Sequence, residues 1–566
     1  MTWVVVANLV LMPPLVQAPG ARFRWDVVLL ALAALVLRVI AFDRLGVDHF
    51  DEGGYAMSSA AIATGEAPRG LYPLQHFLSP PVFFGTGAAL MALFGTTSAA
   101  ILFGLSVAAG VATVVAIYLI GRRWFGRAAG GAAALALALS DFHILYSRAG
   151  LTDALFLALF VMALAAFARA EDRQSLGAAA LAGVLTGLAW NTKYHGWLAG
   201  AIAVAALLPA LTVAGSRERK SLILRLVLAG AIALALYIPW VLYVHGQPGG
   251  YGRLTAEHTR FLKPASLVQN TLAQLRDQLY LEGWTARLAP LALVGWIAVA
   301  HASARRAGTV VWAVSLTILT LALGATAVLG VLAIGGAILL LTRHGWRWTP
   351  HWFALAFFGV FTVLTPLYTP YPRLLLPWLA AAALLAGVTI EWLVLTEFPA
   401  RMRIAAPLTV VLVAAVLLGA RGVTPAAVPW RPRDQLRVGA EEVNRLAGGS
   451  DPIVVLGEPG VVFYLRRLGR EAWHVDRPDD ASRYVTSGMP FYFVGGRYSR
   501  SIKGPRSLAA WMEQHPEGVA AGVAHVADMS DVRLLDDFSP NGARRFRREA
   551  RDDYDLRVYR VSRTLP

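Results

Sequence analysis

The chain has 566 residues and no cysteine, which excludes disulfide bonds, thiolate catalysis and Cys-ligated metals. Hydrophobic residues make up 57% of the chain and charged residues only 15%, against about 25% in soluble proteins, so the composition indicates a membrane protein. Lysine and arginine outnumber aspartate and glutamate by 51 to 35, but no basic tract is interleaved with aromatic residues, so we expect membrane lipids as partners and no nucleic acid.

Apolar runs between residues 27 and 424 predict an all-α polytopic membrane domain. A helix needs about 20 apolar residues to cross a hydrocarbon core of about 30 Å. Residues 1–26 are apolar but lack the basic start of a signal peptide, and their role is left open. About thirteen spans are predicted, at 27–42, 98–120, 128–146, 152–168, 177–190, 194–213, 221–244, 286–300, 308–323, 325–342, 351–367, 374–395 and 404–420.

The positions of basic residues predict which ends of these spans face the cytoplasm. Cytoplasmic loops of membrane proteins are enriched in lysine and arginine. With thirteen spans, every basic loop falls on one side, including GRRWFGR at 121–127 and SRERK at 216–220. Two long loops, 43–97 and 245–285, then lie outside. The apolar segment 79–95 breaks this alternation if it spans, so we expect it to form a helix on the outer face.

A change in composition after Arg421 predicts a second unit at 431–566. This region is charged and contains short apolar segments, DPIVVLG, GVVFYL and PFYFVGG, which are typical of strands. Helix-like stretches, RVGAEEVNRLAGG and SLAAWMEQHP, separate them. We therefore expect a C-terminal soluble α/β domain on the outer side of the membrane.

The first candidate site lies just beyond the first predicted span, in the sequence VDHFDEGGYA. Asp48, Asp51 and Glu52 precede a helix-like run. One interpretation is structural: Asp51 caps this helix and Glu52 complements its dipole. The other is chemical, because a partly desolvated carboxylate at the membrane surface can act as a general base.

Three further segments place ionisable residues on the same predicted side. Asp153 follows Arg148 in YSRAGLTDA, and these two residues could form a salt bridge or serve a functional site. Lys193 and His195 interrupt a long apolar stretch, where the lysine either extends to the interface or binds an anion. Arg373 opens a late span in YPRLLLP, as a loop anchor or a phosphate ligand.

The order of these motifs resembles that of a known superfamily. FDEGGYA, SPPVFF, GRRWFGR, YSRAGLTDA, NTKYHG and YPRLLLP look like the GT-C membrane glycosyltransferases. More narrowly, they are similar to the protein O-mannosyltransferase and aminoarabinose-transferase-like superfamily. The resemblance covers roughly 25–395, and it implies amphipathic helices on the outer face of a GT-C-like fold. The segment GEPGVVFYLRR, predicted as strand-turn-strand, looks like an outer domain of some relatives.

The resemblance implies roles for the candidate residues. Asp51 matches the catalytic carboxylate, Asp153 the second acidic position, Lys193 the lysine near the donor phosphate and Arg373 the arginine before the late span. Arg148 is a further candidate for the phosphate. No cofactor is implied with certainty. A divalent metal is possible, with ligands from Asp51, Asp153 and His76.

Two departures from the aminoarabinose branch leave the donor undefined. Ser79 stands where close relatives have a basic residue before the Pro-Pro, and Gly54 stands where they tend to have arginine. The sugar and a lipid A acceptor therefore cannot be carried over from that branch.

We expect an integral membrane glycosyltransferase, by composition in a bacterial plasma membrane, with its active site and C-terminal domain extracytoplasmic. It would transfer a hexosyl or pentosyl group from a polyprenyl-phosphate donor to a lipid, glycan or protein acceptor. Family resemblance implies inversion, with Asp51 as the base. The alternatives are a transporter or flippase of lipid-linked sugars, which would need charges deep within several spans, and a non-catalytic scaffold.

Overall fold

The computed structural model describes residues 25–66, 79–301, 306–345, 350–396, 405, 408–416, 429–430, 432–483, 489–496, 508–514, 518–525 and 555–561. Helices dominate up to residue 416. They are α1 (Trp25–Val39), α2 (Phe50–Thr64), α3 (Val82–Phe94), α4 (Ala100–Phe125), α5 (Arg127–Ala138), α6 (Asp141–Ser147), α7 (Thr152–Asp172), α8 (Leu176–Trp190), α9 (Leu198–Val213), α10 (Ser216–His245), α11 (Gly250–Thr259), α12 (Leu267–Leu281), α13 (Trp284–Ala300), α14 (Arg306–Leu323), α15 (Ala325–His344), α16 (His351–Leu364) and α17 (Leu376–Leu395).

Several of these helices are long and apolar enough to cross a membrane, so the chain is an integral membrane protein. Within the described residues six helices meet that standard, and α5 with α6 makes a seventh if this pair, bent by 63°, is one broken span. Other predicted spans coincide with apolar helices of 10–17 residues. The count of thirteen is therefore not confirmed, and the last predicted span lies partly outside the described residues.

Helix α7 forms the centre of the bundle, and nearly all of its residues are buried. Elsewhere in the bundle, small residues let α4, α5 and α17 approach one another closely. A Cβ atom on Gly121 would lie 2.8 Å from Gly130, and one on Gly387 would lie 2.4 Å from the Ala129 carbonyl oxygen. This close packing lies beside Arg122 and Arg123, at the end of the bundle opposite Asp153.

Both predicted outer loops contain helices, and their ends are tied to the bundle. The first loop contains α2 and α3, and the Ser59 hydroxyl on α2 donates to the Phe84 carbonyl on α3 at 2.9 Å. The second contains α11 and α12. It pairs with the turn before α17, where the Lys263 amide donates to Leu367 at 2.7 Å and the Thr369 amide donates to Phe261 at 2.7 Å. These contacts bring four distant segments to one end of the bundle.

The C-terminal residues form a mixed five-stranded sheet flanked by helices. Its order is β2-β1-β3-β5-β4, with β1 parallel to β2 and β3, and β5 antiparallel to β3 and β4. The elements are α18 (Gln435–Ala447), β1 (Ile453–Leu456), α19 (Pro459–Arg467), β2 (Ala472–Val475), β3 (Phe491–Gly495), α20 (Leu508–Gln514), β4 (Gly518–Ala524) and β5 (Leu556–Val561).

The prediction of strand-turn-strand for GEPGVVFYLRR is wrong. Only its first residue borders β1, and the rest forms helix α19, which begins at Pro459. Proline is well placed in the first turn of a helix, because the amide it lacks would have no helical partner there. The apolar run Val461–Leu465 is buried, and periodicity alone cannot distinguish a short buried helix from a buried strand.

Candidate active site

A cavity of about 880 Å³ lies at the end of the bundle where these segments meet. Its lining is mostly apolar and aromatic, with a small group of charged side chains. Ligand sites commonly combine such a lining with a few oriented polar groups. The lining residues come from α2, the start of α3, the turn before α9, the outer-loop helix α11 and the turn between α16 and α17.

Asp51 and Arg373 form an ion pair on the wall of this cavity. The Arg373 Nη1 atom donates to Asp51 Oδ2 at 2.8 Å, although 322 residues separate the two in sequence. Burial raises the pKa of Asp51, but the neighbouring charges of Arg373 and Lys193 outweigh it and hold that pKa below its usual range. Asp51 is therefore ionised at neutral pH beside the cavity.

Lys193 and Asp153 form a second ion pair at the same end. The Lys193 Nζ atom lies 2.6 Å from Asp153 Oδ1. Lys193 lines the cavity, whereas the Asp153 side chain is only 2% exposed and lies behind it. The predicted convergence of Asp51, Asp153 and Lys193 is thus present. Lys193 is held by Asp153 and does not extend along the lipid interface.

Arg148 does not reach the cavity, and its prediction as a phosphate ligand is wrong. Its side chain is fully buried, and its guanidinium donates to the backbone carbonyls of Arg38, at 2.6 Å, and Ala41, at 3.4 Å. The alternative of an Arg148–Asp153 salt bridge is also wrong, because Asp153 pairs with Lys193. Arg148 instead joins α1 to the turn before α7.

The capping interpretation of Asp51 is wrong, because His49 is the residue that caps α2. The Asp51 amide donates to His49 Nδ1 at 3.1 Å, and the Glu52 carboxylate accepts from the His49 amide at 3.1 Å. Asp51 lies inside the first turn, and its carboxylate points to Arg373. Histidine is uncommon as a cap, so the sequence pattern favoured aspartate.

Glu52 and Asp48 are structural residues that do not line the cavity. Glu52 is fully buried and also accepts from the Gly150 amide at 2.7 Å. Asp48 caps α18 by accepting from the Leu436 and Gln435 amides at 3.0 and 3.3 Å. Burial raises the pKa of Asp48 to about 7, against the lowering effect of these amides. The view of Glu52 as a residue that only complements a helix dipole is wrong.

His195 lines the cavity, and its ring packs edge-on against Phe156 with centroids 4.5 Å apart. His76 lies outside the described residues. No group of three or more histidine, aspartate or glutamate side chains in the described part of the chain is arranged to hold a metal ion. Asp51 and Asp153 instead bind the cationic side chains of Arg373 and Lys193.

Sequence reasoning missed an aromatic wall of the cavity, formed by Tyr55, Phe261, Tyr368 and Tyr371. The Tyr55 hydroxyl lies 2.8 Å from the hydroxyl of Ser79. The segment YPRLLLP predicts only a loop anchor or a phosphate ligand at Arg373, and the wall includes Tyr371 from the same segment. Its contact with Phe261 depends on pairing between segments more than 100 residues apart and leaves no local signal.

The fold matches those of solved membrane glycosyltransferases. ArnT from Cupriavidus metallidurans bound to undecaprenyl phosphate superposes with a TM-score of 0.57 at 16% identity, over 95% of this chain and 98% of that chain. The Archaeoglobus fulgidus oligosaccharyltransferase in a complex with zinc and sulfate gives 0.51 at 15% identity, over 88% and 71% of the two chains.

The chain has the GT-C fold. At 16% identity the similarity concerns the fold, and it agrees with the GT-C-like fold that the motifs implied. The mostly helical architecture is confirmed with it.

Sequence comparisons agree with the GT-C fold. The profile of the family "Dolichyl-phosphate-mannose-protein mannosyltransferase" matches residues 79–243. Undecaprenyl phosphate-alpha-4-amino-4-deoxy-L-arabinose arabinosyl transferases are similar to 41–42% of the chain: that of Pseudomonas paraeruginosa is 29% identical over 247 residues, and that of Pseudomonas savastanoi pv. phaseolicola 30% over 242. The matches span 43% and 44% of those relatives, less than half their length.

Proposed function

We propose that the protein is a glycosyltransferase that moves a sugar from a polyprenyl-phosphate donor to an acceptor at the extracytoplasmic face. The proposal depends on one observation: the Asp51–Arg373 and Asp153–Lys193 ion pairs lie at a single cavity whose other lining is mainly apolar and aromatic. Such a chamber suits an amphipathic donor, because its apolar lining can hold a lipid while its cations bind phosphate. The GT-C fold and the names of the relatives support this class of donor.

Asp51 is the proposed general base. Its carboxylate is one-fifth exposed on the cavity wall and ionised at neutral pH, so it can accept the proton of an attacking acceptor group. The acceptor oxygen or nitrogen bonds to the anomeric carbon as the bond from that carbon to the donor phosphate oxygen breaks. The phosphate leaves with the bonding electrons, and the sugar inverts its configuration.

Lys193 and Arg373 are the proposed ligands of the leaving phosphate. Both line the cavity, and each has a carboxylate that holds it in place before the donor binds. Fixed cations aimed at developing negative charge stabilise a transition state without needing to reorganise. Asp153, which is buried behind Lys193, acts in this scheme by orienting the lysine and not by contacting the sugar.

The distribution of basic residues supports an extracytoplasmic cavity. Arginines collect at the helix ends away from it, where Arg122 and Arg127 lie 3.3 and 3.6 Å from Asp26, and Arg123 lies 2.7 Å from Asp172. An end rich in arginine is expected in the cytoplasm.

The absence of cysteine makes this orientation testable by single-cysteine labelling. Arg173→Cys, at the basic end, should react with an impermeant maleimide only after the cells are opened. Ser450→Cys, in the C-terminal unit, should react in intact cells. The opposite pattern would contradict the proposed orientation.

The proposed activity is tested by mass spectrometry after incubation of the purified protein with a panel of polyprenyl-phosphate sugars. We expect one donor to lose its sugar and yield free polyprenyl phosphate, and the Asp51→Asn protein to release little. Asp172→Asn is the matched control, since it removes the same charge from an aspartate–arginine pair at the other end of the bundle. Failure of every donor to lose its sugar, or equal release by both variants, would contradict the proposal.

A further inference from the structure

The segment from Arg44 to Gly53, which leads into the helix that carries Asp51, is held by the C-terminal unit. The Arg433 amide donates to the Arg44 carbonyl at 2.9 Å, and Leu45 and Arg433 form a parallel bridge. The Val47 amide donates to the Tyr464 hydroxyl at 2.7 Å. The backbone that approaches Asp51 is therefore bonded to residues about 400 positions later in the chain.

Charged groups reinforce this attachment in a buried setting. The Arg433 guanidinium lies 3.3 Å from Glu52 Oε1 and donates to the Arg148 carbonyl at 2.7 Å. The side chains of Arg433 and Glu52 are 2% and 0% exposed. The Asp48 carboxylate caps the amino end of α18 by accepting from the Gln435 and Leu436 amides. Buried charges of this kind are costly unless paired, so each partner fixes the other in place.

Glycines bring the two backbones into direct contact. A Cβ atom on Gly53 would lie 2.4 Å from the Gly460 amide nitrogen, and one on Gly460 would lie 2.5 Å from the Val47 carbonyl oxygen. No side chain separates α2 from the start of α19, so there is no flexible group that could absorb a displacement. A methyl group at Gly460 would have to push the Val47 backbone away.

We propose that the C-terminal unit positions Asp51, with Arg433, Tyr464 and Gly460 as positioning residues. This inference rests on the proposed role of Asp51 as the base. Asp51 lies between Val47 and Gly53, which the C-terminal unit holds, while its carboxylate contacts Arg373 on the cavity wall. Motion of the segment would therefore change the distance from Asp51 to the cavity. A misplacement of about 1 Å in a reacting group can lower a rate about 100-fold.

Two small substitutions test the inference without removing a buried charge. Tyr464→Phe deletes only the hydroxyl bonded to Val47, and Gly460→Ala displaces the Val47 backbone. We expect kcat to fall about 10-fold and about 100-fold respectively. The KM for the donor and the affinity for undecaprenyl phosphate should change much less than kcat, because Lys193 keeps its partner Asp153 and the Arg373 side chain is still present. Tyr559→Phe, which removes the same atom from strand β5, is the matched control and should leave kcat unchanged.

Arg433 gives an independent test. Arg433→Lys keeps the positive charge beside Glu52 and should retain more of kcat than Arg433→Met, when both are compared per folded molecule. Rates are normalised to folded protein measured by size-exclusion chromatography of detergent-solubilised samples. A purely structural role would reduce the yield of folded protein while leaving kcat per folded molecule at the wild-type value.

The two proposals fail in different ways. If the wild-type protein releases no polyprenyl phosphate, or Asp51→Asn is as active as the wild type, the proposed function is wrong. If the wild type is active and Asp51→Asn is not, but folded Tyr464→Phe and Gly460→Ala keep wild-type kcat, the positioning inference is overturned. A fall in kcat in both variants that is much larger than any loss of undecaprenyl phosphate affinity supports it.

Discussion

Two aspartate–arginine pairs lie near opposite ends of the central helix α7, and their local geometries are nearly the same. Asp51–Arg373 has a separation of 2.8 Å and Asp172–Arg123 one of 2.7 Å, with aspartate side chains 21% and 19% exposed. Asp153 and Asp172 mark the two ends of α7, about 29 Å apart at the usual helical rise. An ion-pair distance alone therefore does not distinguish a functional site.

The surroundings of the two pairs differ. Asp51 borders an 880 Å³ cavity and experiences the charges of Arg373 and Lys193 together. Asp172 pairs with Arg123, whose side chain is one-third exposed. We infer function at the first pair because a ligand-sized apolar space lies beside several cations. The second pair is at the basic end, which we propose is cytoplasmic and where arginines have a topological role.

The largest expected difference between the ends is catalytic. Asp51→Asn keeps the size of the side chain and an oxygen facing Arg373, but an amide is a far weaker proton acceptor than a carboxylate. Loss of a positioned general base costs about 10²–10⁴-fold in rate. Asp172→Asn should leave the rate within two-fold. The test measures turnover of one donor by the two folded variants side by side. An equal fall in both would show that the Asp51 and Asp172 pairs do not differ in function.

Glu52→Gln should give the next largest effect, this time on stability. The substitution leaves the Arg433 guanidinium buried without its carboxylate, and breaking a buried ion pair costs about 3–5 kcal/mol. We expect a clear loss of thermal stability in detergent, and near-UV circular dichroism measures the unfolding. Glu441→Gln is the control, because Glu441 forms an exposed ion pair with Arg437. Equal stability of the two variants would show that the attachment of the C-terminal unit is weak.

The pH dependence of kcat/KM should show the influence of Arg373 on Asp51. Because positive neighbours lower the pKa of Asp51, its active ionised form should persist to below about pH 4, the ordinary carboxylate value. Activity is then lost as the pH falls through that lowered pKa. Arg373→Gln should move this acid limb to higher pH. The pH profile of the Asp48→Asn protein is recorded as well, because the pKa of Asp48 is about 7 and its titration must be separated from that of Asp51. An unmoved limb would exclude Asp51 as the titrating base.

The smallest effect is expected at the basic end. Arg123→Gln removes a partly exposed ion pair, and such pairs contribute about 0–1 kcal/mol to stability. Turnover should stay at the wild-type level, and the thermal unfolding midpoint should change little. A loss of turnover in the Arg123→Gln protein would show that the basic end influences the cavity at the other end of the bundle.

The sequence predicted the helical membrane fold and the meeting of Asp51, Asp153 and Lys193 because those inferences depend on apolar run length and on the cost of isolated charge. It misassigned Arg148 and Glu52, because burial of a charged side chain cannot be read from its neighbours in sequence. Both residues bond to groups about 100 or more positions away.

Arg433 was missed for the same reason: its partner, Glu52, lies 381 residues earlier. The helix α19 was mistaken for strands, since a run of β-branched and aromatic residues is ambiguous until its packing partner is known. Its partner is Gly53 on α2, another contact between distant parts of the chain.

Binding of undecaprenyl phosphate, without any sugar or acceptor, tests the central claim most directly. The claim is that cations at the cavity end, and not those at the basic end, hold the donor phosphate. We expect Lys193→Met and Arg373→Gln each to weaken binding about 10-fold or more in microscale thermophoresis, since charge-assisted hydrogen bonds contribute about 1.5–3 kcal/mol. Arg123→Gln should bind as the wild type does. Wild-type affinity in both cavity variants, or weakening by Arg123→Gln alone, would contradict the account.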